Sequence, residues 1–317
     1  MQNHRLPLLK YFIRTNKLVK SIISALIMIL SLPAVGKACA CGCNVFSVSS
    51  MWGMPTSSDI KMALLYDYMD QRNNWSNWRT AASNLNSDRE LRTNFYTLGV
   101  QYMANREWGV MIELPVWDRY FITVDETGMT ATADHTSLAD IRVMGTYTGL
   151  SEDMSTGILF GLKLPTGSFS QSLLDRDTQI GTGTTDVLLG GYRMGQEDGW
   201  GWYAQALFQH ALSPRDDYRP GDNFDLSIGM HYDNLLENHN IVPNLQLVAS
   251  FRGMDSGANA SPDNTGYERL YVSPGLEVIA NSHLSIFGNL KIPIITHVRG
   301  YQLVAPSLST ISLSYRF

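Results

Sequence analysis

Apolar and polar residues alternate along this chain from about residue 59 to its last residue. In the C-terminal stretch STISLSYRF, every second residue from Ile311 to Phe317 is apolar, and the residues between them are Ser or Arg. The stretches MSTGILFGLKLP, NFDLSIGMHYD and HLSIFGNLKIPII repeat the pattern. A period of two places the apolar residues on one face of a β-strand, whereas a helix would scatter them around its circumference. The chain is therefore predicted to consist of strands with one apolar and one polar face.

The pattern predicts twelve strands, at about 59–70, 93–104, 107–117, 138–149, 154–165, 184–195, 200–210, 223–233, 242–253, 267–280, 283–296 and 302–317. Long connections, such as 71–92, 118–137 and 166–183, alternate with turns of a few residues. A transmembrane barrel with long outer loops and short periplasmic turns requires this alternation, whereas the Greek-key connections of a soluble sandwich break the sequential order. We predict an all-β, antiparallel up-and-down transmembrane β-barrel of 12 strands over residues 59–317, with a soluble all-β protein as the alternative.

The strand number and the aromatic residues also fit a membrane barrel. An even number of strands lets the sheet close without an edge whose backbone groups would be unsatisfied in lipid. Aromatic residues that suit the membrane interfaces gather near the predicted strand ends: Tyr66, Tyr68, Trp108, Trp117, Trp200, Trp202, Tyr301, Tyr315 and Phe317. The terminal Phe317 resembles the C-terminal signal of outer-membrane proteins that await insertion. Outer-membrane lipid and the barrel-insertion machinery are therefore the predicted partners.

Residues 1–38 have the composition of a secretory signal peptide. The first 20 residues contain five Lys or Arg residues and no acidic residue, and the apolar run SIISALIMILSLPAV follows them. That run is short for a membrane span. Small residues at Gly36, Ala38 and Ala40 allow cleavage after Ala38 or after Ala40, and the local sequence does not choose between the two sites. The signal and the barrel pattern predict the outer membrane of a Gram-negative cell, with an uncleaved anchor helix as the alternative to cleavage.

The charge of the exported chain argues against a nucleic-acid partner. The predicted signal contains six of the 24 basic residues and none of the 29 acidic residues. The exported chain is therefore more acidic than the formal charge of −5 for the whole sequence indicates. Such a chain is attracted neither to nucleic acid nor to anionic lipid.

All three cysteines lie in the stretch ACACGC, as Cys39, Cys41 and Cys43. Alternate residues of an extended chain lie about 6.5–7 Å apart, so a shared metal ion requires a turn, which Gly42 permits. Three thiolates in such a turn suit Cu(I) or Zn²⁺. The alternative is a disulfide between two of them, and cleavage after Ala40 would remove Cys39. Residues 39–58 precede the first predicted strand and are a candidate plug for the barrel.

If the apolar faces contact lipid, the opposite faces line the lumen. The predicted lumen residues are Lys61, Asp67, Gln101, Glu113, Asp140, Arg142, Lys163, Gln205, Gln209, Asp225, His231, Gln246, Arg252, Arg269, Tyr271, Glu277, Asn289, Lys291 and Arg316. Both signs of charge are present. The charges suit a polar channel, but in a narrow barrel they also pair across the lumen and close it. An open channel and a closed barrel are both consistent with this set.

The stretch LKLPTGSFSQSLLDRDTQIGTGTTDVLLGGYRMG contains two motifs: Leu164-Pro165-Thr166-Gly167 after a strand, and Gly181-Thr182-Gly183 before Asp186 and a glycine-rich strand that ends in Tyr192. Together they resemble the outer-membrane transporter-like family named for the meta-pathway of phenol degradation. The stretches SLADIRVMGTY and NFDLSIGMHY are similar to the Asp-started strands of that family. The resemblance covers about residues 60–317. It implies passage of small, often aromatic, compounds across the outer membrane, and it supplies no substrate-binding residue.

We therefore predict a barrel for passive movement of a small solute, with no enzymatic step and no cofactor. His135 and Ser137 are two residues apart in the sequence. A catalytic triad also requires an Asp or Asn that orients the His, and none is suitably placed. The alternative function is a closed scaffold, or a barrel that handles thiophilic metal through the CACGC segment.

Overall fold

The computed structural model describes residues 60–124, 128–236 and 240–317. The predicted signal peptide, the predicted plug at 39–58 and Cys39, Cys41 and Cys43 lie outside these residues. The predictions made for them, including Cu(I) or Zn²⁺ binding, therefore stay predictions. No helix in the described part of the chain is long and apolar enough to cross a membrane.

The described residues form fifteen strands and two short 3-10 helices. The strands are β1 (Ile60–Gln71), β2 (Asn73–Asn77), β3 (Arg79–Thr80), β4 (Asp88–Met103), β5 (Trp108–Val124), β6 (Thr130–Leu138), β7 (Arg142–Tyr147), β8 (Thr156–Lys163), β9 (Asp186–Glu197), β10 (Trp200–Ala211), β11 (Asn223–Tyr232), β12 (Ile241–Arg252), β13 (Tyr267–Ile279), β14 (Leu284–Val304) and β15 (Leu308–Arg316). The 3-10 helices span Ser83–Leu85 and Pro262–Asn264.

Twelve of these strands close an antiparallel barrel in sequential order. β1 pairs with β4 on one side and with β15 on the other, and β13 pairs with β14, so the sheet has no free edge around its circumference. β7 pairs with the first half of β5, and β6 pairs with its second half, from Val116 to Val124. β6 therefore continues the line of β7 beyond a break at 139–141. β2 and β3 extend the sheet beside the end of β14. The prediction of an up-and-down 12-stranded transmembrane barrel is confirmed.

The two ends of the barrel differ in their connections. Connections 104–107, 148–155, 198–199 and 280–283 lie at one end, here called the turn end. Connections 72–87, 164–185, 212–222 and 253–266 lie at the other, here called the loop end. The Phe317 amide donates a hydrogen bond to the Ile60 carbonyl oxygen at 3.0 Å, so the first and last strands meet at the turn end.

Apolar side chains face outward and polar side chains face the lumen along most strands. On β11, Phe224, Ile228 and Met230 are exposed, whereas Asp225 and Ser227 are buried. An outward apolar band is what hydrocarbon requires of a barrel wall. The alternation in the sequence therefore maps directly onto the two sides of the wall.

The predicted loop at 118–137 is wrong, because most of it is β5 and β6. The lipid-facing residues of β5 end at Val116, so the strands beyond it lie outside the band and do not need an apolar face. Trp117 is also not an interface residue. It has the parity of the buried Met111 and Phe121, and its ring meets the buried Phe95 edge-on at 5.0 Å.

Candidate functional site: a cavity beneath an inward loop

A row of charged side chains crosses four neighbouring strands inside the barrel. Glu113 of β5, Arg142 of β7, Lys163 of β8 and Asp186 of β9 are register partners in succession. Arg142 lies 4.0 Å from Glu113, and Lys163 lies 3.2 Å from Asp186. Directly opposite residues on one face of a sheet interact strongly, so each cation of the row has an acidic neighbour.

Lys163 is the most enclosed cation of this row. Its Nζ atom donates to Asp140 Oδ2 at 2.8 Å and to the Thr184 carbonyl oxygen at 3.2 Å, and its side chain is 5% exposed. Asp186 accepts a further hydrogen bond from Thr184 Oγ1 at 2.6 Å. A buried cation between two carboxylates needs such complete pairing to offset its lost hydration. Lys163 is therefore part of a buried ion-pair network. Pairing inside the lumen and lining a polar channel were the two roles that the sequence allowed for these charges.

Asp140 holds both ends of the connection 164–185, here called the inward loop. Its Oδ1 atom accepts from the Gly167 amide at 3.0 Å, and its Oδ2 atom accepts from the Thr182 amide at 3.0 Å. A Cβ atom at Gly181 would overlap the carbonyl oxygen of Gly167, so the two ends touch only because both residues are glycine. The motifs that carry the family resemblance thus anchor this loop.

Arg119 of β5 holds the middle of the inward loop inside the loop end of the barrel. Its side chain is fully buried, donates from Nε to Thr93 Oγ1 at 3.1 Å and donates from Nη1 to the carbonyl oxygens of Thr178 and Gln179. Ile180 is 2% exposed. A guanidinium that satisfies two loop carbonyls fixes their position, so the loop narrows the lumen at this end.

A second buried carboxylate organises the opposite wall at the loop end. Asp255 accepts from Arg252 Nη2 at 2.9 Å, from Tyr218 Oη at 2.8 Å and from the Gly221 amide at 2.8 Å. These contacts join the connections 212–222 and 253–266. They place Tyr218 and Arg252 beside the inward loop.

These elements enclose a cavity of about 130 Å³, here called the lumen cavity. The apolar residues of its lining are Leu65, Phe95, Pro115, Trp117 and Ile180. The charged residues of the lining are Asp67, Glu113, Asp140, Arg142, Lys163, Arg176, Asp177 and Arg252, and polar groups such as Gln209 and Tyr218 accompany them. A cavity lined by both apolar and polar groups suits a ligand that has both kinds of surface.

A polar chain crosses the seam between the first and last strands. Lys291 Nζ of β14 donates to Thr310 Oγ1 of β15 at 2.8 Å, and Thr310 Oγ1 donates to Asp67 Oδ1 of β1 at 2.5 Å. Lys291 is fully buried and Asp67 is 5% exposed. Complete hydrogen bonding offsets the cost of burying these groups.

The structure places the charged residues predicted for the lumen in three groups. Lys61, Asp67, Asp140, Lys163, Asp225, Arg269 and Lys291 are buried, and Glu113, Arg142, His231, Arg252 and Glu277 are partly buried. Arg316 is exposed at the turn end. The lumen cavity brings together six of them: Asp67, Glu113, Asp140, Arg142, Lys163 and Arg252. His231 and Glu277 line a separate pocket near the turn end.

Sequence reasoning missed Phe95, Trp117, Arg176 and Tyr218, which also line the lumen cavity. The parity of β5 with Met111 and Phe121 is a signal that would have placed Trp117 inside. No periodicity places Arg176 or Tyr218, because both lie in loops. His135 and Ser137 do not pair: His135 Nε2 contacts the Ser172 carbonyl oxygen and Ser137 donates to the Leu138 carbonyl oxygen.

The comparisons with known proteins find the fold among outer-membrane barrels. An outer membrane channel from Pseudomonas putida F1 superposes with a TM-score of 0.65 and 12% identity, over 85% of this chain and 98% of that one. The β domain of the Bordetella autotransporter BrkA gives 0.50 and 9%, over 82% and 100%. The Ralstonia pickettii toluene transporter TbuX gives 0.45 and 10%, over 89% and 96%.

No family model and no curated protein matches the sequence. The likeness to the Pseudomonas putida F1 channel and to the BrkA β domain establishes the barrel fold alone. The finer resemblance, to the family named for the meta-pathway of phenol degradation, stays a prediction.

Acidification is expected to stabilise the loop end through Asp88. This residue begins β4 eight positions outside Tyr96, the outermost exposed apolar residue of that strand, and accepts from Thr123 Oγ1 at 3.0 Å. Burial, followed by the nearby Asp175 and Asp177, raises the pKa of Asp88 from 3.8 to about 7. Between pH 3.8 and about 7, the folded chain therefore holds a proton on Asp88 that the unfolded chain has released. The contribution of Asp88 to the free energy of unfolding is fully present below pH 3.8 and is lost as the pH rises through about 7.

The midpoint of urea unfolding should accordingly be higher at pH 5 than at pH 8, and Asp88→Asn should reduce the difference. Asp153 is the matched control, because hydrogen bonds from Ser155 lower the pKa of this exposed residue. Asp153→Asn should leave the difference between the two pH values unchanged. A parental difference that survives Asp88→Asn in full would contradict the assignment.

Proposed function

We propose that the protein is an outer-membrane channel for passive passage of a small solute that carries an aromatic or apolar group. The observation that carries this proposal is the lumen cavity, whose lining combines apolar and charged residues inside a barrel with an apolar outer band. The loop end then faces the cell exterior and the turn end faces the periplasm, as in barrels of this kind. The name of the Pseudomonas putida F1 channel supports the same function.

The lining explains how such a solute passes. Passage requires a site that binds well enough to admit the solute and weakly enough to release it. Phe95 and Trp117 offer ring surfaces, and paired charges line the same cavity. The inward loop sets the width of the path at the loop end, because Arg119 and Asp140 hold it there.

Planar-bilayer recordings of the refolded mature chain test this function. We expect discrete conductance steps from the parent protein. Asp140→Ala frees both ends of the inward loop and should raise the single-channel conductance. Arg316→Gln changes an exposed cation at the turn end and should leave the conductance of the parent unchanged. If neither the parent nor Asp140→Ala conducts, the barrel is closed and the proposal is wrong.

A further inference from the structure

Arg176 of the inward loop is a lumen cation that no carboxylate of the described residues contacts directly. Its Nη2 atom donates to the Thr182 carbonyl oxygen at 2.6 Å, and its guanidinium lies over the rings of Tyr218 and Phe169, at 4.4 and 4.9 Å from their centroids. Its Nη1 atom is buried and has no hydrogen-bond partner. Among the described residues, no Asp or Glu oxygen lies within 4.0 Å of its nitrogens.

The acidic residues that line the lumen cavity do not supply this partner. Glu113 faces Arg142, and Asp140 is saturated by Lys163, Gly167 and Thr182. Asp177 has interactions of its own. A buried guanidinium nitrogen without an acceptor costs free energy, and Asp216, Asp140 and Asp255 attract Arg176 only from beyond ion-pair distance. Among the described residues, the guanidinium therefore has no carboxylate in direct contact.

The guanidinium of Arg176 is held in place before any ligand arrives. The Thr182 carbonyl that it contacts belongs to a residue whose amide and hydroxyl both donate to Asp140, at 3.0 and 2.9 Å. Tyr218 in turn is fixed by Asp255. Preorganised guanidinium groups bind carboxylates through charge-assisted hydrogen bonds.

The apolar residues of the same lining offer surface for one aromatic ring. Phe95 and Trp117 already pack edge to face at 5.0 Å, and Leu65 and Pro115 extend their surface. The cavity volume of about 130 Å³ is close to that of an engineered apolar cavity, about 150 Å³, that takes benzene.

We propose that the lumen cavity binds small aromatic carboxylates, with Arg176 contacting the carboxylate and the wall of Phe95 and Trp117 contacting the ring. This inference rests on the proposed function and names its solute class. A neutral hydrocarbon supplies no counter-charge to the guanidinium of Arg176, and an aromatic amine adds a second cation beside it. The cavity therefore favours the anion over both.

The test uses three probes with one ring and different charge: benzoate, benzyl alcohol and benzylamine. Calorimetric titration of the refolded protein should show benzoate binding about tenfold or more tightly than either of the others, the ratio expected for one charge-assisted hydrogen-bonded contact. In bilayers, benzoate should reduce the chloride current at concentrations at which the other two do not.

Arg176→Gln should lower the benzoate affinity about tenfold or more, and Arg176→Lys should give an intermediate loss because it keeps the charge without the planar fork. Arg215 is the matched control: its guanidinium lies over the same Phe169 ring, but it does not line the cavity. Arg215→Gln should keep the parental affinity. Heat-modifiable gel migration identifies which variants are folded.

Equal binding of the three probes by the parent would overturn the inference, and so would undiminished benzoate binding by folded Arg176→Gln. The calorimetric measurement separates this inference from the channel itself. A parent that binds benzoate through Arg176 but conducts no ions supports the site and overturns the proposed function. A parent that conducts ions but does not distinguish the probes supports the channel and overturns the site.

Discussion

Lys163→Met is expected to lower the free energy of unfolding by about 3–5 kcal/mol, the usual cost of breaking a buried ion pair from one side. Lys163 is the cation between Asp140 and Asp186, at 2.8 and 3.2 Å. Its removal leaves two buried carboxylates near each other without a positive charge between them. Because Asp140 also holds the inward loop, the damage should extend to the lumen cavity.

The measurement is urea unfolding in detergent micelles, followed by heat-modifiable gel migration. Arg316→Met removes an exposed cation of the same barrel and should cost less than about 1 kcal/mol. Adding Asp186→Asn to Lys163→Met should recover part of the loss, because one of the uncompensated charges is then absent. A cost for Lys163→Met as small as that for Arg316→Met would show that the pair contributes little.

Leu290→Arg should destabilise the barrel by about 2–4 kcal/mol, and Leu313→Arg by about 0–1 kcal/mol, because the cost of a lipid-facing charge falls toward the interface. The two leucines are equally exposed, at 42% and 44%. Leu290 lies midway along the exposed face of β14 between Ile286 and Ile295. Leu313 pairs with Ile286, close to the turn end.

Unfolding in phospholipid vesicles, followed by tryptophan fluorescence, compares the two variants directly. Each serves as the control for the other, since the residue type, the substitution and the exposure match. Equal costs would mean that the hydrocarbon band is not centred near Leu290.

The strand pattern could be predicted from sequence because each wall residue has only two environments. A lipid-facing position such as Leu313 must be apolar, and its neighbour Ser312 faces the lumen, so the period of two is visible without an alignment. The pattern disappears where a strand leaves the membrane. β6, with the sequence TATADHTSL, has no lipid-facing side, and its strand was therefore predicted as a loop.

The end of β14 shows the same limit for a different reason. The predicted strand ends at residue 296, but β14 continues to Val304 and has a register shift near Pro293. A β-bulge places the consecutive residues Ile294 and Ile295 on the outside, which interrupts the alternation. Beyond it the strand pairs with β2, a contact between distant segments that local sequence does not encode.

The candidate site was only partly accessible to sequence reasoning. Parity assigns Lys163 to the lumen, but only the register across β7, β8 and β9 shows that Asp186 is its neighbour. Arg176 lies in the inward loop, whose position depends on hydrogen bonds from Arg119 of β5. Arg119 precedes Arg176 by 57 residues in the sequence. Loop conformations that depend on such tertiary contacts have no local periodic signal.

The polar chain across the seam bears on how the barrel assembles. A β-barrel is complete only when its first and last strands meet, and here the contact joins Asp67 to Thr310, 243 residues later. A slip of two residues between β1 and β15 would preserve which faces point inward but would set Asp67 against Leu308 or, in the other direction, against Ser312. Opposite Leu308, Asp67 would be buried beside a side chain that has no donor. Opposite Ser312, it would lose Thr310, the residue that links it to Lys291. The hydrogen bonds among Asp67, Thr310 and Lys291 therefore act as a register check at closure, since apolar packing alone tolerates a two-residue slip and a slip in either direction breaks this chain.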